Sequence, residues 1–182
     1  EYSQRGERGC AELLLKRYTD ETIYNRETKE WLKYKNGVWV KDSILNIKWR
    51  SQEFLLYIFT KIAHLAEAQE FRLKQLARDE SDNEQEFKRE ASRYKKYALS
   101  FDKTKKAVTY NKTSDQILAL LATAEDIGTA NSDFDQHPLL INLQNGYYDL
   151  EQDQFYDSDP KKRFLFQFRT NYIPEAKPEK WI

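Results

Sequence analysis

Residues 137–160 read His-Pro-Leu-Leu-Ile-Asn-Leu-Gln-Asn-Gly-Tyr-Tyr-Asp-Leu-Glu-Gln-Asp-Gln-Phe-Tyr-Asp-Ser-Asp-Pro. The apolar run Leu139 to Leu143 meets Asn145-Gly146, and Tyr147 to Leu150 follows, which predicts two antiparallel strands closed by a tight turn. Asn-Gly between extended segments is the strongest short-range hairpin signal, because both central residues of a type I′ turn need positive φ. Phe155-Tyr156 predicts a third strand, and Phe164 to Phe168 a further, buried one.

The N-terminal part carries a related pattern. Thr22 to Asn25, Trp31 to Tyr34 and Val38 to Val40 read as strands, with Arg26 to Lys29 as the first turn and Asn36-Gly37 as a second tight hairpin. Helical spacing occupies the remainder. Ala11, Leu14, Leu15 and Tyr18 mark an amphipathic helix over Gly6 to Tyr18. Phe54, Leu55, Ile58, Ile62, Leu65 and Ala66 mark a second from Trp49 to about Arg78. The acidic stretch Asp79 to Glu86 reads as a solvated loop or helix start. Phe87, Ala91, Tyr94, Ala98 and Phe101 then form a heptad-like stripe, usually a core face and sometimes a partner-helix seam. Thr113-Ser114-Asp115-Gln116 reads as a capping box opening a last helix through Ile117, Leu118, Leu120 and Leu121. Gly128 to His137 reads as a polar loop. Helices, strands, helices and strands in that order, without βαβ alternation, predict an α+β fold in which helices pack with small antiparallel hairpins or a meander, as a single domain over 1–182.

Charged residues make up 33% of the 182 residues, yet 12 Tyr, 10 Phe and 4 Trp supply the bulk for a sizeable core. Thirty basic and thirty acidic side chains balance, against a uniformly basic nucleic-acid-binding module. A single cysteine, Cys10, forms no internal disulfide, and no apolar run is long enough to span a bilayer, so a cytoplasmic setting (bacterial, or that of a virus host) with no membrane partner is expected. The chain contains no methionine and stops at Lys180-Trp181-Ile182. Both features lead us to expect a piece of a longer polypeptide, with a processed small protein as the alternative.

The residues that bear chemistry are few. None of the five glycines precedes a lysine, which excludes a phosphate-binding P-loop in this stretch, and no dinucleotide fingerprint is present. One cysteine and two histidines cannot supply a tetrahedral zinc site. Asp133 and Asp135, with His137 close by, could hold a divalent cation if they lay on a strand. With Pro138 next, the competing reading is an Asx-type turn feeding the following strand, and no metal ligand is assigned. His64, flanked by Ile62 and Leu65, reads as a partly buried structural histidine. No catalytic residue and no cofactor are expected. The remaining candidate is nucleic-acid contact through Arg89, Arg93, Lys95, Lys96, Lys103, Lys105, Lys106 and Lys112, with Tyr94, Tyr97 and Tyr110 interleaved to stack on bases. A solvated helix face, compensated by the acidic run before it, is the alternative.

Several of these segments also resemble a family. Gly6-Glu7-Arg8, Tyr18-Thr19-Asp20 and Trp31 through Trp39 look like the opening of the domain that precedes the helicase in phage, plasmid and poxvirus primase-helicases. Pro138-Leu139-Leu140-Ile141-Asn142, Asn145-Gly146, Asp149-Leu150, Asp159-Pro160, Tyr172-Ile173-Pro174-Glu175-Ala176, Pro178 and Trp181 match that family's series in order and spacing. The resemblance implies a linker or collar between a primase-type region and a superfamily 3 helicase, a hexameric AAA+ ATPase. ATP and Mg²⁺ would belong to that parent helicase. DNA, engaged through the full-length protein, and self-association with the helicase ring would be the partners. A non-catalytic accessory domain is the implied role. A metal-dependent nucleotidyl-transfer or nuclease domain using Asp133 and Asp135 is the alternative, and a protein-interaction domain using Phe87, Tyr94 and Phe101 is a third reading.

Overall fold

The computed structural model describes residues 6–79 and 81–176. The fold is α+β with antiparallel hairpins, as expected, and the chain groups into two compact units interleaved along the sequence. One holds the described residues up to Arg17 together with Ile44–Ala124; the other holds Tyr18–Ser43 and the described residues from Glu125 onward.

The first unit is helical: α1 (Gly6–Tyr18), α2 (Ile44–Asp79), α3 (Glu84–Val108) and α4 (Asn111–Ala122). A short 3-10 turn, Ser81–Asn83, separates α2 from α3, and Glu84 and Glu86 then sit in the first turn of α3, where carboxylates favour the positive end of the helix dipole. α2 begins earlier than the apolar spacing predicts, and its buried face is rotated. Ile47, Ser51, Leu55, Phe59, Ala63, Ala66, Leu73 and Ala77 are buried, whereas Leu65 is 70% exposed and Phe54, Ile58 and Ile62 are half-buried. Leu55 and Ala66 are buried as expected, but small residues (Ser51, Ala63, Ala77) share the buried face, so ranking positions by side-chain bulk locates that face only in part. Phe59 fills the seam against α3 by stacking on Phe101, ring centroids 5.9 Å apart. His64, expected to be partly buried, is exposed.

α4 starts without the capping box. Tyr110 is its N-cap, and Ser114 lies inside the helix, 5% exposed. The Ser114 hydroxyl donates to the Val108 carbonyl (2.8 Å) and accepts from Gln52 Nε2 (2.8 Å), which itself also reaches Val108 O (3.2 Å). Ser114 therefore ties the end of α3 to α2, satisfying a carbonyl that the helix terminus leaves unpaired.

The second unit holds two sheets. β1 (Thr22–Asn25), β2 (Glu30–Lys35) and β3 (Val38–Asp42) form the expected meander, and β4 (Gly128–Thr129) adds to β1 in parallel, giving the order β3-β2-β1-β4. Gly128 to His137 is thus not all loop; two residues carry too little periodicity to announce a strand. Asn36 (φ 50°) and Gly37 (φ 83°) take the two positive-φ positions of the β2–β3 turn. Ile23, Leu32, Trp39 and Phe134 form the core of this sheet, with Tyr34 packed on it.

β5 (Leu140–Leu143), β6 (Gly146–Asp149) and β7 (Gln154–Tyr156) make the second sheet. The predicted hairpin is present, but Leu143 pairs with Gly146, so Gln144 and Asn145 are the turn residues and neither has positive φ. Gly146 has φ 154°, and a Cβ there would lie 2.2 Å from the Tyr156 carbonyl oxygen and 2.5 Å from the Phe155 ring, so close approach of β7 requires glycine. Phe164 to Phe168 forms only one isolated parallel bridge, Leu143 to Phe168, in place of the expected buried strand. Phe164 is buried, while Leu165, Phe166 and Phe168 are exposed.

The rotated face of α2 yields a direct test by thermal or denaturant unfolding. Phe59→Ala should cost about 3–5 kcal/mol, as for other buried Phe truncations. Leu65→Ala should stay within about 0.5 kcal/mol, as for surface positions. The reverse ranking would show that the face read from apolar spacing is the buried one.

Candidate nucleic-acid interface

Most of the basic stretch lies on α3. Arg89, Lys96 and Lys103 recur every seven residues, as do the buried Ala91 and Ala98 two positions further on. Two residues of an α-helix subtend roughly 200°, so these cations point away from the buried alanines. Arg93 and Lys106 fall on the same outer face, Lys95 lies at its margin, and all six are exposed. From Arg89 to Lys106 the stripe runs for roughly 25 Å at 1.5 Å per residue. Glu90 and Asp102, the carboxylates in that interval, fall to either side of it.

Two of the eight residues do not join the stripe. Lys105 is half-buried and pairs with Asp102 at 2.6 Å; this hydrogen bond is the main cause holding the Asp102 carboxyl below its ordinary value. Lys112 belongs to α4. The tyrosines are only partly free to stack. Tyr94 and Tyr97 are half-buried and meet edge to face at 6.0 Å. The Arg93 guanidinium donates to the Tyr97 hydroxyl at 2.8 Å, which raises its pKa further and keeps it charged. Tyr110 is 67% exposed. The acidic run compensates one cation directly, since Lys88 pairs with Glu84 one turn away. The stripe Phe87, Ala91, Tyr94, Ala98 and Phe101 is the inner face of α3: its alanines are buried and its Phe101 is stacked on Phe59, so it is occupied within the helical unit.

Asp133 and Asp135 do not lie on a strand, and each carboxylate already accepts hydrogen bonds from the turn or from residues 163–165. Asp133 closes the 3-10 turn Asn131–Asp133, and its Oδ2 accepts from the Ala130 amide (2.9 Å), the Thr129 hydroxyl (2.7 Å) and the Arg163 guanidinium (2.8 Å). The Ala130 amide bond, followed by the Thr129 bond, lowers its pKa. Asp135 (φ 51°) accepts from the Leu165 amide at 3.1 Å, while its own amide donates to the Arg163 carbonyl. Both carboxylates order a turn and hold the segment after it, and among the described residues no group of three His, Cys, Asp or Glu side chains could hold a metal ion. Cys10 is buried, and desolvation with the nearby Glu7 charge pushes its thiol up to about 11, which leaves it inert as a nucleophile.

The residues of the primase-helicase resemblance prove to be polar fasteners. Asn142, 5% exposed, donates from Nδ2 to the Gly37 carbonyl (3.0 Å) and the Phe166 carbonyl (2.8 Å). Asn145 exchanges two hydrogen bonds with the backbone of Tyr172, at 3.0 and 2.9 Å. Asp149 caps the turn after β6 by accepting from the Glu151 and Gln152 amides. Asp159 caps the turn Pro160–Lys162, whose Pro160 carbonyl accepts from the Trp39 indole at 2.9 Å. Pro178 and Trp181 lie outside the described residues. Sequence reasoning gives no sign of the long-range roles of Asn25, which donates to Asn131 Oδ1 at 2.6 Å, of Ser114, which reads as part of a capping box, or of Gln167, which donates to the Asn36 and Leu143 carbonyls. Each bonds partners distant in the chain, and short-range spacing carries no signal for that.

Asp133 makes the turn sensitive to acid. A carboxyl with a lowered folded pKa adds stability above the unfolded value of about 3.9, and that contribution is lost as pH falls through the folded value. The protection of the Ala130 amide, its exchange rate relative to the intrinsic rate at the same pH, should therefore fall on acidification below that value in the native protein. In Asp133→Asn it should be lower already near neutrality and less dependent on pH. Native-like, pH-independent protection of Ala130 in the variant would contradict the assignment.

Among the described residues, no helix is long and apolar enough to cross a membrane. No curated protein matches the chain. The family model described as D5 N terminal like matches residues 11–182, nearly the whole length, in agreement with the ordered motif series. The chain therefore belongs to the D5 N-terminal-like family, the domain that precedes the helicase in primase-helicase proteins.

Proposed function

We propose that this domain is a non-catalytic accessory of a mobile-element DNA replication primase-helicase, acting in the cytoplasm and contributing DNA engagement and support of the helicase ring. The observation that carries the DNA-engaging part is the outer stripe of α3, where Arg89, Arg93, Lys96, Lys103 and Lys106 lie on one exposed face with Glu90 and Asp102 to its sides. A row of cations along one helix suits a phosphate backbone, which attracts without reading sequence. The net charge of zero is compatible with this, because the counterbalancing carboxylates lie elsewhere. ATP hydrolysis with Mg²⁺ is assigned to the helicase of the parent protein.

Support of the ring draws on a different surface. Trp49, Tyr57 and Phe71 of α2 are each more than 60% exposed, apolar surface that ring assembly would cover.

The decisive substitution is Lys96→Glu with Lys103→Glu and Lys106→Glu; Lys105 is left intact because Asp102 already holds it. Against a duplex, this triple variant should bind at least tenfold more weakly at low salt. Its log K against log salt slope should be shallower by about 3, near 0.9 for each phosphate no longer neutralised. Unchanged affinity and slope would overturn the role of the stripe.

A further inference from the structure

Residues 161–169 read Lys-Lys-Arg-Phe-Leu-Phe-Gln-Phe-Arg, four cations with no carboxylate among them. Phe166 is 78% and Phe168 63% exposed, and both line a groove of about 540 Å³ with His137, Pro138, Leu140 and Asn142. Large apolar side chains so exposed, side by side on a groove wall, mark an interaction surface.

The backbone that presents them is fixed. The Phe166 carbonyl accepts from Asn142 Nδ2 at 2.8 Å, and the Phe168 amide donates to the Asn142 carbonyl at 2.9 Å. Between them, Gln167 is half-buried and donates from Nε2 to the carbonyls of Asn36 (2.6 Å) and Leu143 (3.0 Å). Successive side chains of an extended segment alternate, so the inward Gln167 turns both phenyl rings outward to the same side, roughly 6.6 Å apart along the chain. That is about twice the ~3.5 Å contact distance between carbon atoms, which leaves room for one flat ring touching both.

We propose that this groove binds single-stranded nucleic acid, with a base stacked against Phe166 and Phe168 and the flanking phosphates met by Lys161 and Arg169. Among the described residues neither cation forms an ion pair, whereas Arg163 is held by Asp133 and Lys162 lies over the Tyr147 ring at 5.7 Å. The Asp135 carboxylate also lines the groove, but it is engaged by the Leu165 amide. Flat aromatic surface flanked by cations suits unpaired bases on a charged backbone, whereas an apolar peptide would have no use for the cations. Bases inside a duplex cannot reach the rings, so the groove selects a single strand. The proposal rests on the DNA-engaging reading of the domain and assigns it a second surface with a distinct chemistry.

The test is fluorescence anisotropy of a labelled oligo-dT of about 15 nucleotides, near the upper site size for such grooves, with the whole 182-residue chain. Phe166→Ala and Phe168→Ala should each weaken binding by at least about fivefold, the lower end for loss of one stacked base. Phe166→Tyr and Phe168→Tyr keep the flat ring and should stay within about twofold. Both phenyl groups are exposed, so the alanine variants should melt like the parent. Unchanged oligo-dT affinity in both alanine variants, or failure of the parent chain to bind oligo-dT, would overturn the proposal. Alanine variants that keep oligo-dT affinity but lose self-association in sedimentation would reassign the groove to a protein and equally overturn it. The α3 triple variant on the same oligonucleotide separates the two surfaces: if it loses binding while the alanine variants do not, DNA engagement stands and the stacking groove falls.

Discussion

The β-rich unit depends on one buried amide. Asn142 sits in β5, and its Nδ2 donates both to the Gly37 carbonyl of the β2–β3 turn and to the Phe166 carbonyl of the C-terminal segment. Its main-chain carbonyl receives the Phe168 amide. One side chain thereby joins the meander, the second sheet and the segment that carries the exposed phenyls. A buried amide so placed cannot become a leucine of similar size without leaving the Gly37 and Phe166 carbonyls short of a donor. The neighbouring fasteners follow the same logic, with Gln167 bridging Asn36 and Leu143 and Asn145 clasping Tyr172. Of the residues that look like a family signature in the sequence, Asn142 and Asn145 act in the structure as hydrogen-bonding staples between distant segments, while Asp149 and Asp159 cap local turns.

Local patterns were legible, and long-range ones were not. Both Asn-Gly pairs announced hairpins, yet only Asn36-Gly37 adopts the positive-φ geometry behind the signal. At Asn145-Gly146 the register slips by one, and the glycine serves the approach of β7 instead. α1 and the first three strands were read within a residue or two of their bounds. The burial of α2 is legible in part: Leu55 and Ala66 are buried as the apolar spacing predicts, but the small Ser51, Ala63 and Ala77, which bulk does not mark, share the buried face with Phe59, while Leu65 is exposed. Phe164 to Phe168 was misread as a buried strand. Alternation shows which residues share a side, but not whether that side faces a core.

The same division applies to the candidate sites. The basic residues of α3 could be found by composition and sorted by helical spacing, but the diversion of Lys105 to Asp102 and the bond that fastens Arg93 to Tyr97 on the stripe required the structure. The paired aspartates held the plainest catalytic suggestion in the sequence, and the structure assigns them to a turn. Family membership identifies the chain as the domain that precedes the helicase in primase-helicase proteins, and its described surface carries cations on a helix and aromatics on a fixed loop.

The most direct measurement of this account is residue-resolved amide hydrogen exchange on Asn142→Ala in the whole chain. Removing two hydrogen bonds and leaving the Gly37 and Phe166 carbonyls short of a donor should cost about 2–4 kcal/mol. The effect should appear as faster exchange at Phe168, Trp39 and Tyr172, while α2 and α3 keep their protection. Unchanged protection at Phe168 and Trp39 would contradict the claim that this amide organises the β-rich unit.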